Sequence, residues 1–103
     1  MTTPKIDIPM DRLVELCKRW KIVELSLFGS VLRDDFGPES DVDVMVALAD
    51  DANIDYFEDW PKIQDELSIL LGRRKIDLVE RKRIVNPFIR HHAITNRRVL
   101  YAA

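Results

Sequence analysis

Met10, Leu13, Val14, Cys17 and Trp20 recur at three- and four-residue spacing, which predicts an amphipathic helix over about 9–20, with Pro9 tolerated in its first turn. Cys17 and Trp20 lie on its apolar stripe and are read as core. From Ile22 to Phe28 the period changes to two, with Glu24 and Ser26 alternating against Val23, Leu25 and Leu27, as in a strand that Gly29 ends. Ser30 is a suitable N-cap for a short helix over about 31–35, and Phe36-Gly37-Pro38-Glu39-Ser40 reads as a turn. A second strand is expected over Asp41 to Leu48. A turn and a helix follow within 54–71, their apolar face formed by Ile63, Leu67, Leu70 and Leu71 and their end marked by Gly72. Lys75 to Val79 reads as a third strand. Asn86-Pro87 supplies the N-cap and first position of a last helix to about Ile94, and Val99-Leu100-Tyr101 adds a terminal strand or packed tail. This order predicts an α/β fold, a small mixed β-sheet with helices packed on it, formed by residues 1–103 as a single domain.

Composition supports that reading. The chain has 103 residues, 47% of them apolar, enough for a core without disulfides or a structural metal. Its longest apolar run, Val44 to Ala49, is too short to span a bilayer, and no signal-peptide core follows Lys5. With one cysteine there is no internal disulfide and no zinc cluster, so a cytoplasmic protein away from membranes is expected. The net charge of −2 conceals an asymmetry: +2 over residues 1–33, −11 over 34–66 and +7 over 67–103. An acidic middle can hold cations, and a basic tail can meet an acidic partner or form a solvated rim. Arg90, Arg97 and Arg98 share that ambiguity. His91-His92 is read as surface, since neighbours on a helix diverge and no third ligand is nearby. Among the acids of 50–59, Tyr56, Phe57 and Trp60 are either a docking patch or core, with Phe57 and Trp60 assigned to the core.

The chemistry concentrates in Phe28-Gly29-Ser30, a ten-residue gap, and Asp41-Val42-Asp43. On a strand, side chains at i and i+2 share a face, so Asp41 and Asp43 project together while Val42, Val44 and Val46 pack on the other side. Asp77 interrupts Ile76, Leu78 and Val79 and reaches the same site if the two strands are neighbours. Three carboxylates on one sheet face make an oxygen site of the kind Mg²⁺ prefers, and paired metals suit transfer to or from a phosphate. Gly29 permits close backbone approach, and Ser30 opens a helix whose free N–H groups suit an anion.

Gly29-Ser30, the gap, Asp41-Val42-Asp43 and Asp77 resemble the signature of the nucleotidyltransferase superfamily, and the small size resembles its minimal members, the MNT antitoxins of HEPN/MNT toxin-antitoxin systems. The resemblance implies a nucleotidyltransferase-like fold and Mg²⁺-dependent transfer of AMP from ATP to a hydroxyl. In it Asp41 and Asp43 hold two Mg²⁺ ions, Asp77 completes the metal site and takes the acceptor's proton, and Gly29 and Ser30 contact the β- and γ-phosphates. Arg33, one helical turn from Ser30, either adds a phosphate contact or pairs with Asp34 or Asp35. With no residues left for an acceptor domain, the acceptor is expected to be small and loosely held or to be delivered by a partner protein. The resemblance implies a HEPN-family ribonuclease toxin, modified on a tyrosine within a hetero-oligomer, with no direct nucleic-acid binding. Two alternatives stay open: a non-catalytic module that occludes its partner, and a stand-alone transferase for a small hydroxylated acceptor.

Overall fold

A computed structural model describes residues 8–29 and 41–103. The expected short helix over 31–35, the turn over 36–40, and Ser30 and Arg33 lie outside the described residues. The elements in order are α1 (Met10–Arg19), β1 (Ile22–Phe28), β2 (Val42–Leu48), α2 (Asp59–Leu70), β3 (Ile76–Glu80), a 3₁₀ turn (Arg81–Arg83), α3 (Pro87–Thr95) and β4 (Arg98–Ala102). The strands form one mixed sheet in the order β3-β2-β1-β4. β1 pairs antiparallel with β2 and β4, and β2 pairs parallel with β3, the crossover between them running through α2.

Alternation divides the sheet into two faces. Leu25 and Leu27 of β1, Val42, Val44 and Val46 of β2, and Ile76 and Leu78 of β3 meet Leu13, Leu16 and Cys17 of α1 and Ile63, Leu67 and Leu71 at α2 in one buried cluster. Of the predicted apolar stripes, Leu13 and Cys17 of α1 and Ile63, Leu67 and Leu71 at α2 are buried, whereas Met10 is 42% exposed and Leu16, outside the predicted stripe, joins the core in its place. α1 starts after Pro9, carries Asp11 in its first turn and Lys18 and Arg19 in its last, and so matches its charges to its dipole. Trp20 packs against the cluster and donates from Nε1 to Glu66 Oε2 at 2.6 Å, tying the end of α1 to α2. α2 ends through Leu71, and Gly72 takes the left-handed conformation (φ +85°) that makes glycine the natural stop there. α3 begins as its sequence predicts: Asn86 Oδ1 accepts from the backbone N–H of Phe88 (2.9 Å) and Ile89 (3.3 Å), with Pro87 at the first helical position.

One expectation is corrected. Phe57 is 93% exposed, while Trp60 packs on the core as expected. The carboxylate of Asp55 accepts from the N–H groups of Phe57 (2.8 Å) and Glu58 (3.2 Å), forming a side-chain-capped turn in which Phe57 projects outward.

Candidate active site

The carboxylates lie on the sheet face opposite the α1 and α2 core. Asp43 is the second residue of β2 and stands between two register partners, Phe28 on β1 and Asp77 on β3. Partners on adjacent strands are about 4.8 Å apart, so Asp43 and Asp77 share a small patch of one face. Their neighbours in the same register, Val42 paired with Ile76 and Val44 with Leu78, are buried on the other face. Asp41 stands one residue ahead of β2, where the alternation continued from Val42 sets it on Asp43's side. The backbone there is fixed by the Val42 N–H, which donates to the Lys75 carbonyl at 2.9 Å. Asp43 is half-buried, and Asp41 and Asp77 are exposed.

Gly29 closes the patch on the β1 side. It has φ +70°, and a Cβ built on it would lie 2.2 Å from Asp43 Oδ2 and 3.1 Å from its Cγ. The backbone of Gly29 therefore presses directly on the Asp43 carboxylate, and only glycine leaves room for it. Of the sequence-predicted residues, Gly29, Asp43 and Asp77 are brought together by strand register and direct approach, and Asp41 is adjacent in chain. Among the described residues, no three acid, histidine or cysteine side chains already converge as a closed metal cage. The donor set is nonetheless all carboxylate oxygen, open to solvent and cradled by Gly29, which fits a hard divalent cation that keeps water and phosphate ligands.

The same face carries a second polar cluster that the sequence signals only by Glu24 breaking the apolar pattern of β1. Glu24 lies four residues before Phe28, about 13 Å along the strand. Arg97 Nε donates to Glu24 Oε2 at 3.1 Å, and Arg81 Nη2 pairs with the same oxygen, reaching across β2 at Ala47, the small residue that stands opposite Glu24. Burial first, and then the charges of Arg97 and Arg90, hold the Arg81 guanidinium below the usual arginine range. On the opposite edge, Tyr56 donates to Glu80 Oε2 at 2.5 Å and lies under the Arg83 guanidinium, which stands 4.4 Å from the centre of the tyrosine ring. The hydrogen bond to Glu80, more than burial, raises the Tyr56 phenol. His91 and His92 are exposed, as expected.

Comparison with known proteins bears on this geometry. The model of the nucleotidyltransferase domain family matches residues 11–100. A Methanocaldococcus jannaschii chain named "Putative protein adenylyltransferase MJ1379" is 35% identical over 72 residues, covering 70% of this chain and 70% of that one. A crystal structure of a toxin-antitoxin with AMP-PNP superposes with a TM-score of 0.70 at 21% identity, covering 93% of this chain and 75% of that one. A structure of a tri-AMPylated Shewanella oneidensis HEPN toxin in complex with MNT antitoxin gives a TM-score of 0.60 at 23% identity, covering 91% and 70%. These two structures share the fold. With the family match spanning most of its length and a relative above 30% identity over more than two thirds of it, the chain belongs to the nucleotidyltransferase domain family and is an enzyme of that class.

Proposed function

We propose that this chain is a single-domain cytoplasmic antitoxin that transfers AMP from ATP to a tyrosine hydroxyl of a partner HEPN-family ribonuclease toxin and thereby silences it. The observation that carries the reading is the register that sets Asp77 beside Asp43, with Gly29 pressed against the Asp43 carboxylate. The relatives support its finer points: one is named a protein adenylyltransferase, one is a toxin-antitoxin with AMP-PNP, and one holds an AMPylated HEPN toxin.

Asp41, Asp43 and Asp77 are the residues to hold Mg²⁺. When bound, that ion neutralises phosphate charge and lowers the pKa of the acceptor hydroxyl. The exposed carboxylate of Asp77 is placed to accept the tyrosine proton. The phenolic oxygen forms a bond to the α-phosphorus of ATP as the bond to the pyrophosphate oxygen breaks. Gly29 lets the backbone approach the phosphates, while Ser30 and Arg33 are proposed to bind the β- and γ-phosphates as charge develops on the leaving group.

Neutralisation by occlusion alone is the competing reading, favoured by the exposed Phe88 and Ile89 on α3. One experiment separates them. Wild type, Asp41→Asn/Asp43→Asn and Asp77→Asn are incubated with the toxin, Mg²⁺ and ATP, and toxin mass and complex formation are read in parallel. Transfer predicts an added AMP on a toxin tyrosine with wild type. Asp77→Asn should lose about 10²- to 10⁴-fold in rate, the usual worth of general-base help, with complex formation intact. Full neutralisation by wild type without any mass change would give the case to occlusion.

A further inference from the structure

The cluster around Glu24 holds more positive charge than it can compensate. Arg81 and Arg97 share one carboxylate oxygen, Glu24 Oε2, and Arg90 is drawn to the same place by its Nη1, which donates to the Arg81 carbonyl at 3.3 Å. Two guanidinium groups therefore share a single carboxylate, and a third stands against the backbone of one of them. Arg97 Nη1 is taken by the Ile94 carbonyl at 2.5 Å, but the buried Arg81 Nε has no hydrogen-bond partner among the described residues. That nitrogen is sealed from solvent, so what the cluster offers to the surface is the net positive charge of Arg81, Arg90 and Arg97 against the one Glu24 carboxylate.

Two further facts indicate what that charge would meet. The cluster lies on the sheet face that carries Asp43 and Asp77, about 13 Å from them, within reach of one macromolecular ligand that also enters the candidate active site. Beside Arg90, α3 turns two large apolar side chains to solvent, Phe88 (84% exposed) and Ile89 (59%). A polyphosphate chain crossing this face would meet Glu24 and then the Asp41, Asp43 and Asp77 carboxylates, whereas a localised carboxylate flanked by apolar side chains meets only the part of the surface that suits it. We propose that Arg81, Arg90 and Arg97, with Phe88 and Ile89, dock an acidic segment of the protein that accepts the nucleotide, and so position its hydroxyl over the catalytic carboxylates. This rests on the transferase reading for its purpose, and on the arginine geometry for its existence.

The test uses the full chain and three fluorescent probes: a random Glu/Tyr copolymer, a Lys/Tyr copolymer and poly(U). Wild type should bind the Glu/Tyr copolymer, more weakly as salt rises, and prefer it over both others. Arg90→Glu places a carboxylate where a charge-assisted donor stood and should weaken binding about ten- to a hundredfold, the worth of one such contact. Phe88→Ser, at an equally exposed position, should weaken it severalfold. Circular dichroism confirms that both variants are folded, which their exposure predicts. Equal affinity of wild type and Arg90→Glu for the Glu/Tyr copolymer overturns the proposal, as does equal binding of the two copolymers or tighter binding of poly(U). A separate Mg²⁺·ATP thermal shift on wild type keeps the two readings apart. Absence of that shift with Glu/Tyr binding intact removes the transferase reading and leaves the docking site; a shift without Glu/Tyr binding does the reverse.

Discussion

Substituting Gly29 by alanine tests the site at the point where its two motif halves touch. The added Cβ would sit 2.2 Å from Asp43 Oδ2, well inside any real contact, so the Asp43 carboxylate must rotate away from the patch it shares with Asp77. The substitution also places an L-residue at φ +70°, at a cost of about 1 kcal/mol. That cost alone lowers Tm by roughly 4–8 °C in a domain of this size. The control is Gly72→Ala. Gly72 has φ +85°, and a Cβ added there meets nothing within 4 Å, so it bears the same backbone penalty without the clash.

Melting curves with and without Mg²⁺·ATP then distinguish the two effects. At a ligand concentration about 100 times Kd, binding to the native state adds about 2.7 kcal/mol, or roughly 10–20 °C. Gly72→Ala should melt lower than wild type yet keep this ligand shift in full. Gly29→Ala should lose most of it, because a displaced Asp43 no longer joins Asp41 and Asp77 in binding. A full ligand shift in Gly29→Ala would refute the assignment of Asp43 to the nucleotide site, whatever its effect on stability.

Two further outcomes follow from the fold. Burial pushes the Cys17 thiol up to about 12, so at pH 8 native protein should react with iodoacetamide on the order of 10³-fold more slowly than a free thiol. Because the folded pKa lies above the unfolded one, the associated stability is present below about 9 and is lost as pH rises toward 12; urea melts at pH 8 and pH 10.5 should show lower stability at the higher pH, and Cys17→Ala should make that difference smaller. Asn86→Ala removes the acceptor of the Phe88 and Ile89 N–H groups and should cost about 1 kcal/mol by urea denaturation, while Asn86→Asp should recover most of it.

Much of the fold is legible locally. The period-two and period-four patterns locate every described strand and helix to within a residue or two at most ends. Asn86-Pro87 and Gly72 mark boundaries because their chemistry acts on the two or three residues beside them. What the sequence does not reveal depends on partners far away in chain. Glu24 reads only as a polar position alternating with the apolar ones of a strand, and its pairing with Arg81 and Arg97 spans 57 and 73 positions. Phe57 reads as core because it is aromatic, and only the Asp55 turn decides otherwise. Lys21 takes φ 58° between α1 and β1 without a glycine to announce it, steadied by its side chain's 2.8 Å bond to Asp51 and by its carbonyl accepting from Ala49 at 2.9 Å.

The third acid shows how the core settles what the motif leaves open. Nothing local to Asp77 says which residue of β2 it faces. Val42, Val44 and Val46 on one side of β2, and Ile76 and Leu78 on β3, must face α1 and α2 together. A slip of one residue in β3 would bring Asp77 into that cluster and expel Ile76 and Leu78, exposing two large aliphatic side chains and burying a carboxylate. Together these changes cost an amount comparable with the whole stability of a typical small domain, about 5–15 kcal/mol. The apolar residues therefore select the register, and the register sets Asp77 beside Asp43. The acids themselves, which repel at this distance, contribute nothing to that choice. The placement of the candidate catalytic carboxylates is thus a product of hydrophobic packing on the face they do not share.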